Sequence, residues 1–241
     1  LILLFLKIFL SKKIKFIIRE ANTPSAILNS SRIKYLYKIF YSSADKIIAQ
    51  SDLIRQELIT LFNIDENLIV RINNPVDVNL IRKNIKNFKR FDEKRKILIS
   101  AGRLVYQKGF DILLRILSNY NNDFYLVILG EGPEYSYLKE ISKKLKIEKK
   151  VIFYGYVKKP WEMIASADIF LLPSRWEGMP NAALEALACG TRVIASHESG
   201  GLIDLESSIK SKDIILTNFD NNFIKELKEN KKTLKKNLLP S

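Results

Sequence analysis

The sequence predicts an α/β fold in which parallel strands are covered by helices on both faces. Short apolar runs alternate with helix-length amphipathic segments along the 241 residues, a rhythm that builds parallel sheets. The series is interrupted once by a polar, basic stretch, so two domains are expected. A hydrophobic content of 47% at this length is enough to bury a sizeable core.

In the first series, strands are expected at residues 14–19, 46–50 and 68–72, with helices at 32–41 and 52–62. Asn73-Asn-Pro-Val-Asp77 breaks the rhythm, and the basic run that follows reads as a connector over 85–95, leaving a first domain at 1–84. The second domain, 96–218, has expected strands at 97–101, 125–129, 151–154, 169–172 and 192–195, and a weaker one at 214–217. A lysine-rich helix over 219–241 closes the chain. The opening apolar run, residues 1–10 with Lys7 inside it, falls short of the ~20 apolar residues of a membrane span and reads as a buried helix. No basic n-region or cleavage site points to a signal peptide, and the chain reads as starting inside a domain.

A single cysteine, Cys189, excludes a disulfide framework and a cysteine-built metal cluster, and fits a reducing compartment, the cytoplasm by default. The formal charge of +14 suits nucleic acid, an anionic membrane face or phosphate-bearing substrates, or is a plain solvated surface in a lysine-rich chain.

The densest constellation follows the strand at 169–172. Pro173-Ser-Arg-Trp-Glu-Gly-Met-Pro180 forms a loop and Asn181 to Cys189 a helix, with Pro180 suited to its start and Gly190 to its stop. Ligands of open parallel sheets bind beyond the carboxyl ends of the strands, where a helix N-terminus favours phosphate. Gly178, Met179, Pro180 and Asn181 are therefore candidate contacts to a diphosphate. Carboxylates repel that group, so Glu177 and Glu185 are expected to face hydroxyls: Glu185 a ribose diol, Glu177 a transferred sugar or the positive charge developing at its anomeric carbon. Taken singly, they read equally as a cap and a surface helix residue.

Gly102-Arg-Leu-Val-Tyr-Gln-Lys-Gly109, after the first strand of the second domain, offers Arg103 and Lys108 as the diphosphate's positive charge. Gly130-Glu-Gly-Pro133 ends the next strand; Gly130 and Gly132 either let backbone approach a ligand or simply make a tight turn.

Over residues 17–201 these motifs resemble the retaining GT-B glycosyltransferases of the family 4 type: the Glu-x7-Glu spacing of Glu177 and Glu185, the Gly102 to Gly109 loop, Gly130-Glu-Gly-Pro133, and Ala44-Asp-Lys-Ile-Ile-Ala-Gln-Ser51. The resemblance implies two Rossmann-like domains, the first binding acceptor and the second a UDP- or GDP-sugar. It implies Arg103 and Lys108 on the diphosphate, Glu185 on the ribose, Glu177 on the donor sugar, and transfer of a hexose or N-acetylhexosamine to a glycan or lipid-linked acceptor with retained configuration. No essential metal or other cofactor is implied, and no Asp-x-Asp occurs in the sequence. An acceptor on a lipid carrier would place the protein peripherally on the inner membrane face, and no nucleic-acid partner is expected.

Three departures stand out. Family members begin well upstream of the point matching Leu1, so the first domain is expected to be incomplete and activity of these residues alone is an open question. Where many members place a histidine on the donor sugar, this chain has Arg19-Glu-Ala-Asn-Thr-Pro-Ser25, making Glu20 or Asn22 the substitutes, while His197 is expected to be structural. After Gly201 the family's proline-glutamate helix start is replaced by Leu202-Ile-Asp-Leu205. Two other functions fit the same residues: a non-catalytic nucleotide-sugar-binding domain, and a phosphorylase, which would need a lysine-anchored pyridoxal phosphate for which no motif occurs.

Overall fold

The computed structural model describes residue 7 and residues 13–27, 31–85, 95–209 and 213–229. Apart from Lys7, the expected opening helix lies outside these residues, as do most of the expected connector and the last part of the expected terminal helix. In chain order the elements are β1 (Ile17–Glu20), α1 (Pro24–Ile27), α2 (Ser31–Tyr41), β2 (Lys46–Ala49), α3 (Asp52–Thr60), β3 (Ile69–Arg71), α4 (Val78–Asn84), β4 (Lys96–Ala101) and α5 (Phe110–Ser118). They continue with β5 (Phe124–Leu129), α6 (Tyr135–Lys144), β6 (Val151–Gly155), α7 (Trp161–Ser166), β7 (Ile169–Leu172), α8 (Asn181–Ala188), β8 (Arg192–Ser196), α9 (Gly200–Ile209), β9 (Ile214–Thr217) and α10 (Asn221–Glu229). Every strand expected from the sequence is present. β1 starts later than expected because its parallel ladder with β2 begins at Ile17 opposite Lys46.

The chain divides into two compact units. The first comprises Leu1–Pro75, Trp176–Met179 and Ser199–Ser207. Its sheet has the order β1-β2-β3, all parallel. Ile47 of β2 and Ile54 and Leu58 of α3 are fully buried around Phe62, and Tyr37 stacks on Tyr41 at 4.4 Å between ring centres. Ser51 caps α3, its side chain accepting from the backbone of Ile54, as serine at an N-cap does.

The second unit comprises Val76–Arg175, Pro180–Glu198 and Ser208–Ser241. Its parallel sheet has the order β6-β5-β4-β7-β8-β9. Strand order therefore reverses between β4 and β7, the place where open α/β sheets leave a crevice at their carboxyl ends. In α5, Phe110, Leu113, Leu114 and Leu117 are buried, the i, i+3, i+4, i+7 stripe of a helix packed on a sheet. Each such side chain stabilises the fold by roughly 1.5–3 kcal/mol. The division between units falls at Pro75, inside the Asn73 to Asp77 break and before the expected connector. The reason is α4, whose buried Ile81 belongs to a helix packed on α7 and α8.

Candidate functional site

The carboxyl ends of β4, β5 and β6 open into a cavity of about 340 Å³ in the second unit. Its walls are Ala101 to Arg103 after β4, Leu129 to Glu131 after β5, Tyr156, Val157 and Pro160 after β6, and Ala182 of α8. Two glycines bring the first two of these loops together. Gly130 has φ +137°, and a Cβ there would lie 1.9 Å from the carbonyl oxygen of Gly102; a Cβ on Gly132 would lie 2.3 Å from that of Leu104. The two loops thus touch backbone to backbone, with Leu104 N–H donating to Glu131 O at 2.9 Å and Glu134 N–H to Leu104 O at 3.1 Å. Both glycines serve a close approach between loops, beyond the needs of a turn.

Leu104 is fully buried and anchors the β4 loop, leaving Arg103 exposed on the cavity wall. Lys108 lies along the same loop, its aliphatic carbons 3.5 Å from where a Gly102 Cβ would stand. Lys108 therefore folds back to the residue next to Arg103. Helix α8 starts at Asn181 with no side-chain cap, and Ala182 in its first turn faces the cavity. Its N-terminal N–H dipoles are an added source of positive potential there. One turn along, Glu185 is half-buried and accepts a hydrogen bond from the Trp161 indole at 2.9 Å.

Arg175 is not among the residues that the sequence marks as ligand contacts. Its Nη1 and Nη2 each donate to an oxygen of Asp111 at 2.8 Å, and Nη1 also donates to Tyr106 O at 2.7 Å. The guanidinium stands 3.8 Å from the Tyr106 ring centre, and the Arg175 backbone N–H donates to Gln107 O at 2.7 Å. Burial acts to raise the Asp111 carboxyl, but the hydrogen bonds and charge of Arg175 outweigh it and hold that group below its usual value. Glu134, just before α6, is pushed up by burial and then by the charge of Asp111. A signal for the pair was legible, an acidic residue in the first turn of α5; its partner, 64 residues away, was not. Tyr156, Val157 and Pro160 were missed as well, although their loop leaves the same sheet edge as the three that were found.

In the first unit, Glu20 ends β1 and is buried. Its Oε1 accepts from the backbone N–H groups of Ala21 and Asn22 at 3.1 and 3.3 Å, and its Oε2 from the hydroxyls of Tyr41 at 2.6 Å and Tyr37 at 3.4 Å. Both oxygens of this carboxylate have partners within the unit, and the loop it shapes carries half-buried Asn22. Burial, then the Glu20 charge, pushes the Tyr41 phenol far above its usual range. Glu177 is 6% exposed and forms a parallel bridge with Ser199, and its carbonyl accepts from the Thr23 hydroxyl at 3.0 Å. A Cβ on Gly178 would lie 2.2 Å from Ala21 O. Met179 is buried and its carbonyl accepts from Asn74 Nδ2 at 3.1 Å; Asn74 in turn accepts from Gln50. Asp204 of α9, at the departure after Gly201, accepts from the Asp52 backbone at 2.8 Å and pairs with Arg71. His197 is exposed in a turn. Among the described residues no group of three or more His, Cys, Asp or Glu could hold a metal ion, and no helix is long and apolar enough to cross a membrane.

Residues 81–235, more than half of the chain, match the family described as glycosyl transferases group 1. The chain belongs to the group 1 glycosyl transferases. Among its curated relatives, the Campylobacter jejuni N-acetylgalactosamine-N,N'-diacetylbacillosaminyl-diphospho-undecaprenol 4-alpha-N-acetylgalactosaminyltransferase is 31% identical over 194 residues, which cover 78% of this chain and 53% of that protein. The lipopolysaccharide outer core galactosyltransferase WaaB, solved in its apo form, is 25% identical with a TM-score of 0.63 over 78% of this chain and 53% of its own. Anabaena HepE in complex with UDP-glucose is 21% identical with a TM-score of 0.74, over 90% of this chain and 63% of its own. These likenesses give the fold as GT-B. The chain spans about half the length of the curated relatives it matches.

Proposed function

We propose that this glycosyl transferase binds a nucleoside-diphosphate sugar, UDP- or GDP-linked, in its second unit and transfers a hexose or N-acetylhexosamine to a glycan or lipid-linked glycan with retention of configuration. One observation carries the reading: an apolar-walled cavity at the carboxyl ends of β4 to β6, next to the loop bearing Arg103 and Lys108 and the N-terminus of α8. Its 340 Å³ is near the lower end of small-molecule pockets, about 300–1,000 Å³, and suits a nucleoside better than a whole nucleotide sugar. The diphosphate would then lie outside it on Arg103 and Lys108, beside the loop that Gly130 and Gly132 seat against Gly102 and Leu104, and near the start of α8 at Asn181. Glu185 would accept from the ribose. Glu177 would contact the donor sugar, with Asn22 as a further candidate.

Chemically, the leaving group is a nucleoside diphosphate whose negative charge grows as the glycosidic bond breaks. Fixed cations stabilise that growing charge more than they stabilise the ground state. Arg103 and Lys108 supply them, and the reaction is proposed to need no metal.

The test is a thermal-shift screen with UDP, GDP and their sugars, repeated with Glu185→Ala and Lys108→Ala and with EDTA. A hundredfold excess over the dissociation constant should stabilise the protein by about 3 kcal/mol, the shift should be smaller in both variants and EDTA should leave it unchanged. No shift with any nucleotide overturns the donor site. Binding of one donor by the full-length gene product without transfer or hydrolysis would make the protein a binding domain instead.

We also propose peripheral attachment to an anionic membrane face, supported by the +14 charge and by the lipid-linked substrate in the name of the C. jejuni relative. Failure of the full-length protein to float with anionic liposomes removes this.

A further inference from the structure

We infer that Arg175 is a positioning residue for diphosphate binding, setting the place of Lys108 without touching the ligand. The inference rests on the donor-site reading above and adds a residue to it. Lys108 ends a short 3-10 turn, Tyr106–Lys108, and is followed by Gly109 in the left-handed conformation at φ +66°. Arg175 grips this turn from both sides. Ahead of Lys108 it holds Tyr106 through the carbonyl and the ring, and Gln107 through the backbone; behind it, it holds Asp111 in the first turn of α5 through a two-pronged ion pair. A Cβ at Gly109 would lie 2.1 Å from Pro173 O, so the backbones of the two loops also meet directly beneath the turn.

The charge of Arg175 has a local partner. Asp111 neutralises it, with 18% and 14% of the two side chains exposed, so the arginine is a poor candidate for a further diphosphate ligand. The same pairing keeps the Asp111 carboxylate from opposing an anion held by Lys108. The fork matters because three short bonds leave two adjacent nitrogens at fixed angles, which a lysine ammonium on a flexible stem cannot reproduce. Two loops that leave the sheet on either side of its switch point, after β4 and after β7, are thereby locked into one arrangement.

The experiment compares wild type, Arg175→Lys, Asp111→Asn, Lys108→Ala and the Arg175→Lys/Lys108→Ala double variant. Calorimetry measures binding of UDP and GDP, and of uridine and guanosine, which lack phosphate. For the base that binds, Arg175→Lys and Asp111→Asn should each weaken the diphosphate roughly tenfold, the size of a displaced charge-assisted contact. Nucleoside affinity should be unchanged, and the double variant should bind no more weakly than Lys108→Ala. A merely structural role would lower melting temperature while leaving the ratio of diphosphate to nucleoside affinity as in wild type, and that outcome overturns the inference. So does an additive double variant. If Arg175→Lys does not fold, Asp111→Asn carries the same comparison. Wild type binding neither diphosphate, or Lys108→Ala binding like wild type, overturns the donor reading itself; a normal Arg175→Lys beside a weakened Lys108→Ala overturns only the role of Arg175.

Discussion

The Trp161 indole nitrogen donates to Oε2 of Glu185 at 2.9 Å, so a carboxylate proposed to hold the ribose is itself held by a neighbour on α7. Pro160 before that tryptophan and Ala182 before that glutamate both line the cavity, which ties this contact to the cavity's shape.

Replacing Trp161 with Phe keeps the ring and removes the donor. UDP or GDP affinity is expected to fall by roughly 1 kcal/mol, less than the about 1.5–3 kcal/mol of a hydrogen bond to a charged group, because the Glu185 carboxylate stays in place and loses only its orientation. Glu185→Ala should cost more and should also abolish discrimination between a ribose and a 2'-deoxyribose nucleotide. Equal discrimination in wild type and Glu185→Ala would remove the ribose role.

Gly130→Ala places a methyl group against the Gly102 carbonyl at a positive φ, and the loop bearing Arg103 must move. A stability loss of about 2 kcal/mol or more is expected, together with loss of nucleotide binding. Gly102→Ala is the control: its Cβ would meet only the flexible carbons of Lys108 at 3.5 Å, so stability should change little. Denaturant unfolding of the two variants checks the contrast.

Asp111 sits below its usual value in the folded protein despite burial. A depressed carboxyl contributes stability that is fully present above its unfolded value, near 3.9, and is lost as pH falls through the lower folded value. Asp111→Asn should therefore cost about 2 kcal/mol at pH 6 and progressively less below pH 4. A difference between wild type and variant that stays constant with pH would contradict the assignment.

Glu177→Gln keeps the shape of a buried side chain and removes its charge. If Glu177 meets the donor sugar during transfer, turnover should fall at least about a hundredfold while nucleotide affinity changes little, the pattern of an interaction made mainly in the transition state. Parallel loss of affinity and melting temperature would mark it as a structural residue.

The strands of the second unit's centre were legible because β4, β5, β7 and β8 are runs of apolar residues buried on the sheet, and burial writes itself directly into sequence. The start of β1 was less so: Ile14 is as apolar as Ile17, and only the partner Lys46 decides which one enters the ladder. The loops carrying Arg103, Lys108 and Gly130 and the start of the helix carrying Glu185 announced themselves through glycine, proline and charge after strand ends. Arg175 with Asp111 and Trp161 with Glu185 did not, since a side-chain contact over 64 or 24 residues leaves no local periodicity. Glu20 shows the converse. The family resemblance offered it as a substitute for a sugar-contacting histidine, and only the structure reveals the two tyrosines around its carboxylate.

The first unit draws its residues from distant parts of the chain. The Thr23 hydroxyl waits for a carbonyl 154 residues later, and the Asp52 amide for a carboxylate 152 residues later. During synthesis on a ribosome, at about 5–20 residues per second, β1 to β3 would emerge long before Glu177 and Asp204 exist. For that interval the loop after β1 and the start of α3 lack the partners they have in the native state, and closing so long a chain segment is slow. A polypeptide ending at Pro75 would be held permanently at that stage, so the order of translation, as much as the final packing, decides when this unit becomes whole.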